Sequence, residues 1–234
     1  MVTGANKGIG AAIAEGLVGH GLTVVVAARD ARRGAEAADR LGARSVVLDV
    51  TDDASVREAV TRVEEWYGRL DVLVNNAGIS GGRIGQSPGE IDLDVIRAVF
   101  ETNLFGVIRV TEAFLPLLRK SSAARVINIS SGTGSLHWHT DGESHFAIRG
   151  ANAGYPASKS ALNMVTVQSA HALAAEHIAV NAVAPGACGT DFATGLGLAL
   201  DRTAAQGAAI AVRLATDAET PTAGFYQDSG PVPW

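Results

Sequence analysis

The 234-residue sequence has one cysteine, Cys188, so it can form neither an internal disulfide nor a multi-cysteine metal site. Such usage fits a reducing cytoplasm, with Cys188 read as a small, semi-buried apolar residue. Positive charge is also scarce. Lys and Arg total 19 against 24 Asp and Glu, a net charge of −5 that leaves no basic stripe for a nucleic-acid backbone. No apolar run approaches the roughly 18 residues that span a bilayer, and the longest, such as 22–28, suit buried strands. The start shows no charged segment leading into an apolar core, so no export signal is expected. What is abundant is small and apolar: 47% hydrophobic residues and 27 glycines, with only 18% charged. That composition suits proteins in which helices sit close on a sheet.

Short apolar runs at 22–28, 45–48, 72–74, 125–129 and 178–183 read as strands. Between them, segments of helical period cover 10–19, 32–41, 55–67, 93–118, 155–176 and 204–215, the fourth bent near Gly106. The alternation predicts an α/β protein: a doubly wound, mostly parallel sheet of Rossmann type with helices on both faces. No repeat, charged tail or Ser/Pro linker divides the chain, so one domain over 1–234 is expected. Two stretches, 132–154 and 187–200, break the rhythm and read as irregular. Both follow strands at their carboxyl ends, where ligands bind in such sheets.

Thr3-Gly4-Ala5-Asn6-Lys7-Gly8-Ile9-Gly10 follows the first strand and opens a helix. Glycines there let the backbone turn tightly and approach a pyrophosphate, and the free amides of the helix start supply donors. The spacing of Gly4, Gly8 and Gly10 resembles that of the short-chain dehydrogenase/reductase family, and further motifs follow in the family's order. Asn75-Asn76-Ala77-Gly78 resembles its N-N-A-G turn, and Asn103 sits where its helix asparagine does. Tyr155-Pro156-Ala157-Ser158-Lys159 reproduces Y-xxx-K, and Pro185-Gly186 with Thr190 resembles the nicotinamide-contacting segment. The matches run from 3 to about 191, and the ending 225–234 resembles carbonyl-reductase-type members. The resemblance implies seven parallel strands in the order 3-2-1-4-5-6-7. Only Met1 and Val2 precede Thr3, so the first strand, central in that order, is expected either to be a stub or to lack residues upstream of Met1.

By the resemblance, Gly4, Asn6, Lys7, Gly8, Ile9 and Gly10 hold the cofactor phosphates, Asn76, Ala77 and Gly78 lie beside them, and Asp49 and Val50 meet the adenine edge. After the second strand an acid would take the ribose 2′-hydroxyl of NAD, whereas a cation would take the 2′-phosphate of NADP. Arg29 stands there, and with Lys7 it points to NADP; Asp30 follows, and facing the ribose it would reverse the preference.

Hydride transfer to a carbonyl leaves charge on oxygen, so a proton donor is needed at that atom. Tyr155 is the candidate. An unperturbed tyrosine, with a pKa of about 10, needs a nearby cation to ionise near neutrality, and Lys159 lies one helical turn away on the same face. The resemblance adds that Lys159 binds the nicotinamide ribose, that Ser131 rather than Ser130 bonds the substrate oxygen, and that Asn103 holds a water relaying protons.

Ser131 and Tyr155 lie 24 positions apart, longer than in many members and similar to carbonyl reductases with an insertion. Within it His137, Trp138 and His139 read as loop anchors before substrate contacts, Phe146 could pack over the substrate, and His137-x-His139 lacks a third ligand for a metal. The glycine-rich 187–200 reads as a mobile lid.

The implied function is NADP(H)-dependent interconversion of a carbonyl (aldehyde, ketone or quinone) and an alcohol. A non-catalytic NADP-sensing or scaffolding protein is the alternative, and epimerases or dehydratases reusing the Tyr-Lys pair are usually longer. The expected partner is a small-molecule carbonyl or alcohol. Both a homo-oligomer formed through the Tyr-bearing helix and a monomer stay open.

Overall fold

The first strand, β1 (Val2–Thr3), is indeed short, yet both residues are buried, Val2 pairing with Val26 and Val74 on its two sides and Thr3 with Ala27. The computed structural model describes residues 1–82, 86–142, 152–197 and 199–234. Around β1 lie β2 (Val25–Ala28), β3 (Arg44–Val47), β4 (Val72–Asn75), β5 (Arg125–Ile129), β6 (Ala179–Val183), β7 (Phe225–Gln227) and β8 (Gly230–Pro231). The sheet order is β3-β2-β1-β4-β5-β6-β7-β8. The first seven strands are parallel in the predicted order. The eighth is an addition: β8 returns antiparallel to β7 through a tight turn in which Gly230 has φ 127°.

The helices are α1 (Gly8–Gly19), α2 (Ala31–Leu41), α3 (Asp53–Tyr67), α4 (Leu93–Phe100), α5 (Gly106–Leu118), α6 (Leu136–Thr140), α7 (Tyr155–Leu173), α8 (Asp191–Gly195) and α9 (Ala204–Thr216). Carboxylate caps set their starts: Asp30, Asp52 and Asp92 accept backbone N–H bonds from the first turns of α2, α3 and α4. The caps move the starts of α2 and α3 one or two residues earlier than apolar periodicity suggests. The second strand begins at Val25 rather than at 22, because the Leu22 amide bonds the Leu17 carbonyl and closes the end of α1. The single helix expected over 93–118 is divided by a π-helical turn, Glu101–Phe105, directly before Gly106. A Cβ at Gly106 would lie 2.8 Å from Val50 Cγ2, so this segment passes close to the end of β3. The stretches 132–154 and 187–200 are less irregular than expected, since they contain a 3-10 turn (Gly132–Gly134), α6 and α8.

Strand side chains alternate between two cores. Val25, Ala27, Leu73, Val126 and Val180 pack with α3, α5 and α7. Val26, Val72, Val74, Ile127 and Val183 pack with α1 and α9 on the other face. On the first face a buried polar row fills the space near the strand ends: Asn75 Nδ2 donates to Thr111 Oγ1 and Asn128 Oδ1, and Asn128 Nδ2 donates to Thr166 Oγ1. Each donation satisfies a buried group that would otherwise carry a desolvation penalty. Among the described residues no helix is long and apolar enough to cross a membrane.

Candidate active site

The order reverses between β1 and β4, and the loops beyond these strands open a cleft of about 1110 Å³. Thr3 fixes its floor. Its Oγ1 accepts the amides of Asn76 (2.9 Å) and Ala77 (3.0 Å), while Asn76 Nδ2 donates to the carbonyls of Thr3 (2.9 Å) and Gly4 (3.3 Å). The glycine loop is stitched to the end of β4. Gly4 and Gly8 adopt φ of 63° and 58°, and a Cβ at Gly10 would lie 2.6 Å from the Gly4 carbonyl oxygen, so a side chain is excluded there. No side chain caps α1, so the first-turn amides have no helical partner and lie on the cleft.

Gly4, Asn6, Lys7, Gly8, Ile9 and Gly10 line this cleft, as do Asn76, Ala77 and Gly78. So do Arg29, Asp49, Val50, Pro185, Gly186 and Thr190. Asp30 turns away: its Oδ1 accepts the Arg33 amide at 2.9 Å as the cap of α2, whereas Arg29 lines the cleft. Asp49 Oδ1 accepts the amide and hydroxyl of Thr51, and these bonds hold its carboxyl below the usual range. Lys7 Nζ lies 2.7 Å from Asp191 Oδ2, on the segment after β6. The set of free amides, exposed cations and excluded side chains suits a phosphorylated dinucleotide.

Tyr155, Ser131 and Lys159 face the same cleft. Tyr155 is the first residue of α7 and half-buried; burial pushes its phenol up to about 12, and a hydrogen bond with Ser131 acts the other way. Ser130 is buried and its hydroxyl donates to Asn163 Oδ1 at 2.6 Å, which leaves Ser131 as the serine beside Tyr155. Lys159 is 4% exposed. Its Nζ donates to the Ile129 carbonyl at 2.7 Å and lies 5.6 Å from the Tyr155 ring centroid. Burial brings its ammonium down to about 8. The sequence suggests a lysine that favours ionised tyrosine; burial acts against the charged form of both groups here, raising the phenol and lowering the ammonium.

Asn103 lies in the π-helical turn, fully buried and behind the cleft wall. Its Oδ1 accepts the Ile79 amide, and its Nδ2 donates to the Ile79 carbonyl and Ser158 Oγ. Gly78 separates it from Lys159, since a Cβ there would lie 3.2 Å from Asn103 Oδ1 and 3.7 Å from Lys159 Nζ.

The structure adds residues that no sequence motif marks. The amide and hydroxyl of Thr133 donate to Ser131 Oγ at 3.2 and 3.0 Å. The Phe192 ring sits 5.5 Å from that of Tyr155, and Asp141 and Gln227 also line the cleft, together with Trp138, which the sequence already singles out. Arg202 Nε donates to the Pro185 carbonyl and its guanidinium pairs with Asp228, tying the segment after β6 to the β7–β8 turn. Trp138 packs against the Phe225 cluster, His139 Nε2 lies 2.9 Å from the Thr133 carbonyl, and the His137 amide bonds Trp234. Phe146 lies outside the described residues.

Residues 1–201 match the family described as short chain dehydrogenase. The chain belongs to that family. A short-chain dehydrogenase of Penicillium roqueforti (strain FM164) is 37% identical over 227 residues, covering 93% of this chain and 88% of its own. The Pseudomonas aeruginosa RhlG/NADP active-site complex is similar at a TM-score of 0.84 and 31% identity, over 97% of this chain and 93% of that one. An NADPH-bound carbonyl reductase from chicken fatty liver is similar at 0.82 and 29%, over 100% and 97%. This chain is therefore an oxidoreductase of the short-chain dehydrogenase family, and the fold read from its strand alternation is the family's.

Proposed function

We propose that the protein, acting as one domain over 1–234, is an NADP(H)-dependent, carbonyl-reductase-like enzyme that interconverts an aldehyde, ketone or quinone with its alcohol. One observation carries the reading: Tyr155, Ser131 and Lys159 open onto the same cleft as the glycine loop and the cations Lys7 and Arg29. Gly4, Asn6, Gly8, Ile9 and Gly10 would hold the pyrophosphate, Asp49 and Val50 the adenine, and Lys7 with Arg29 the 2′-phosphate. Asn76, Ala77, Gly78, Pro185, Gly186 and Thr190 complete the cradle toward the nicotinamide, with Lys159 at its ribose. Bound NADPH supplies the hydride.

The protein supplies the proton and the place for the charge. A phenol pushed up to about 12 stays protonated through neutrality, which is the form that donates to a carbonyl oxygen gaining negative charge. Ser131 bonds the same oxygen and orients it. Lys159, charged below about 8, lowers the cost of the phenolate left behind. Asn103, bonded to both backbone atoms of Ile79, fixes the wall on which a proton-relaying water would rest. NADP-bound and NADPH-bound relatives support the cofactor reading. The single, buried Cys188 supports a reducing, cytoplasmic setting.

The test is a panel of aldehydes, ketones and quinones with NADPH and NADH, followed at the cofactor absorbance, for wild type and Tyr155→Phe. Turnover preferring NADPH is expected, and the variant should bind NADPH normally while losing about 10²- to 10⁴-fold in kcat. Undiminished turnover by Tyr155→Phe overturns the mechanism, and a clear preference for NADH overturns the cofactor assignment.

A further inference from the structure

Lys7 is the cation nearest the helix start of the glycine loop, yet it is already engaged. Its Nζ lies 2.7 Å from Asp191 Oδ2, and both residues line the cleft although 184 positions separate them. The side chains are 56% and 75% exposed, so the pair is weak and open to exchange with a more highly charged anion. Lys7 and, at longer range, Arg33 hold the Asp191 carboxyl below its usual range, so it is fully ionised near neutrality.

Asp191 also begins α8, and the next residue is Phe192, whose ring rests on Tyr155 at 5.5 Å and 55°. Thr190, just before it, reaches within 3.7 Å of the position a Gly8 Cβ would take. One helical turn therefore joins the phosphate-side loop to the catalytic tyrosine. A carboxylate here opposes any anion approaching Lys7, and its release would free the turn that lays Phe192 on Tyr155.

We propose that Asp191 is a cofactor-discriminating latch: it holds Lys7 across the cleft, a 2′-phosphate takes Lys7 from it, and the freed α8 withdraws Phe192 from Tyr155. The proposal rests on the NADP reading above. A cofactor without the 2′-phosphate does not compete for Lys7 and leaves the latch closed. The carbonyl then gains access to Tyr155 more often once the 2′-phosphate has bound, by the modest factor that an exposed ion pair supplies.

The experiment is calorimetric titration of the full chain with NADP⁺, NAD⁺, 2′,5′-ADP and 5′-AMP, for wild type, Asp191→Asn and Asp191→Glu. Removing the competing carboxylate should tighten NADP⁺ and 2′,5′-ADP about two- to fivefold, the scale of an exposed ion pair, and leave NAD⁺ and 5′-AMP unchanged. Asp191→Glu should stay near wild type, and the gain should fade toward 1 M salt. In wild type, 2′,5′-ADP but not 5′-AMP should speed amide exchange over Asp191–Gly195. Unchanged NADP⁺ affinity in Asp191→Asn, or equal tightening of NAD⁺, overturns the latch while leaving the NADP reading intact. Tighter binding of NAD⁺ than NADP⁺ by the wild type overturns both.

Discussion

Serine hydroxyls are poor orienting groups because they rotate, and Ser131 is held by what it accepts. The Thr133 amide and hydroxyl occupy its two lone-pair directions at 3.2 and 3.0 Å, which leaves its own hydrogen to point toward the Tyr155 side of the cleft. Thr133 is thus a positioning residue. Thr133→Val keeps the shape and the amide bond but loses the second donor, so kcat should fall about two- to tenfold, the range of one neutral hydrogen bond, with NADPH affinity unchanged. Thr133→Ser should restore the rate, and a loss equal in both variants would point to packing instead.

At the scale of elements, the approach of the Gly132–Gly134 turn to α7 sets the spacing between Ser131 and Lys159. Gly134 makes that approach possible: a Cβ on it would lie 2.9 Å from the Lys159 carbonyl carbon and 3.1 Å from its oxygen, backbone atoms that cannot swing aside. Its carbonyl also accepts Ser160 Oγ at 2.9 Å and Asn163 Nδ2 at 3.2 Å. Gly134→Ala should therefore push the turn off α7, lowering stability by about 1–3 kcal/mol in urea unfolding and reducing kcat through a displaced Lys159. Normal turnover with lowered stability would show that the turn tolerates the shift. The short helices behave in the same way. α6 and α8 have five residues each, too few to show a period in sequence, and they are held by contacts their neighbours supply.

For the molecule as a whole, burying a lysine has a cost that depends on pH. Lys159 falls from its ordinary 10.5 to about 8 in the fold, so between those values the unfolded chain binds the extra proton. Stability rises with pH wherever the unfolded state holds more protons. From about pH 8 to 10.5 the wild type should gain stability relative to Lys159→Met, seen as a urea midpoint that climbs with pH against the variant. Parallel midpoints would mean that the ammonium is not desolvated by the fold. The two apolar cores that flank the sheet do not titrate, so this pH dependence adds to a packing contribution that is the same in both proteins.

Most of the fold was legible in the sequence because its signals are local. Strands such as β5, read at 125–129 and found there, announce themselves as apolar runs, and the turn glycines mark where the backbone must take positive φ. The order of elements follows from residues near one another in the chain, while the resemblance to one family joins the glycine loop with Tyr155 and Lys159. Tertiary structure alone decided the rest. Asp30 faces away from the cleft because the α2 amides claim it, and the bend expected near Gly106 takes the form of a π-helical turn that carries Asn103. Ser131 meets Thr133 and Tyr155 together, and Lys7 finds Asp191 across 184 positions. Local propensity is a short-range energy that adjacent residues express directly. Which carboxylate, hydroxyl or cation pairs with which depends on desolvation and distance, and these exist only once the chain has closed on itself.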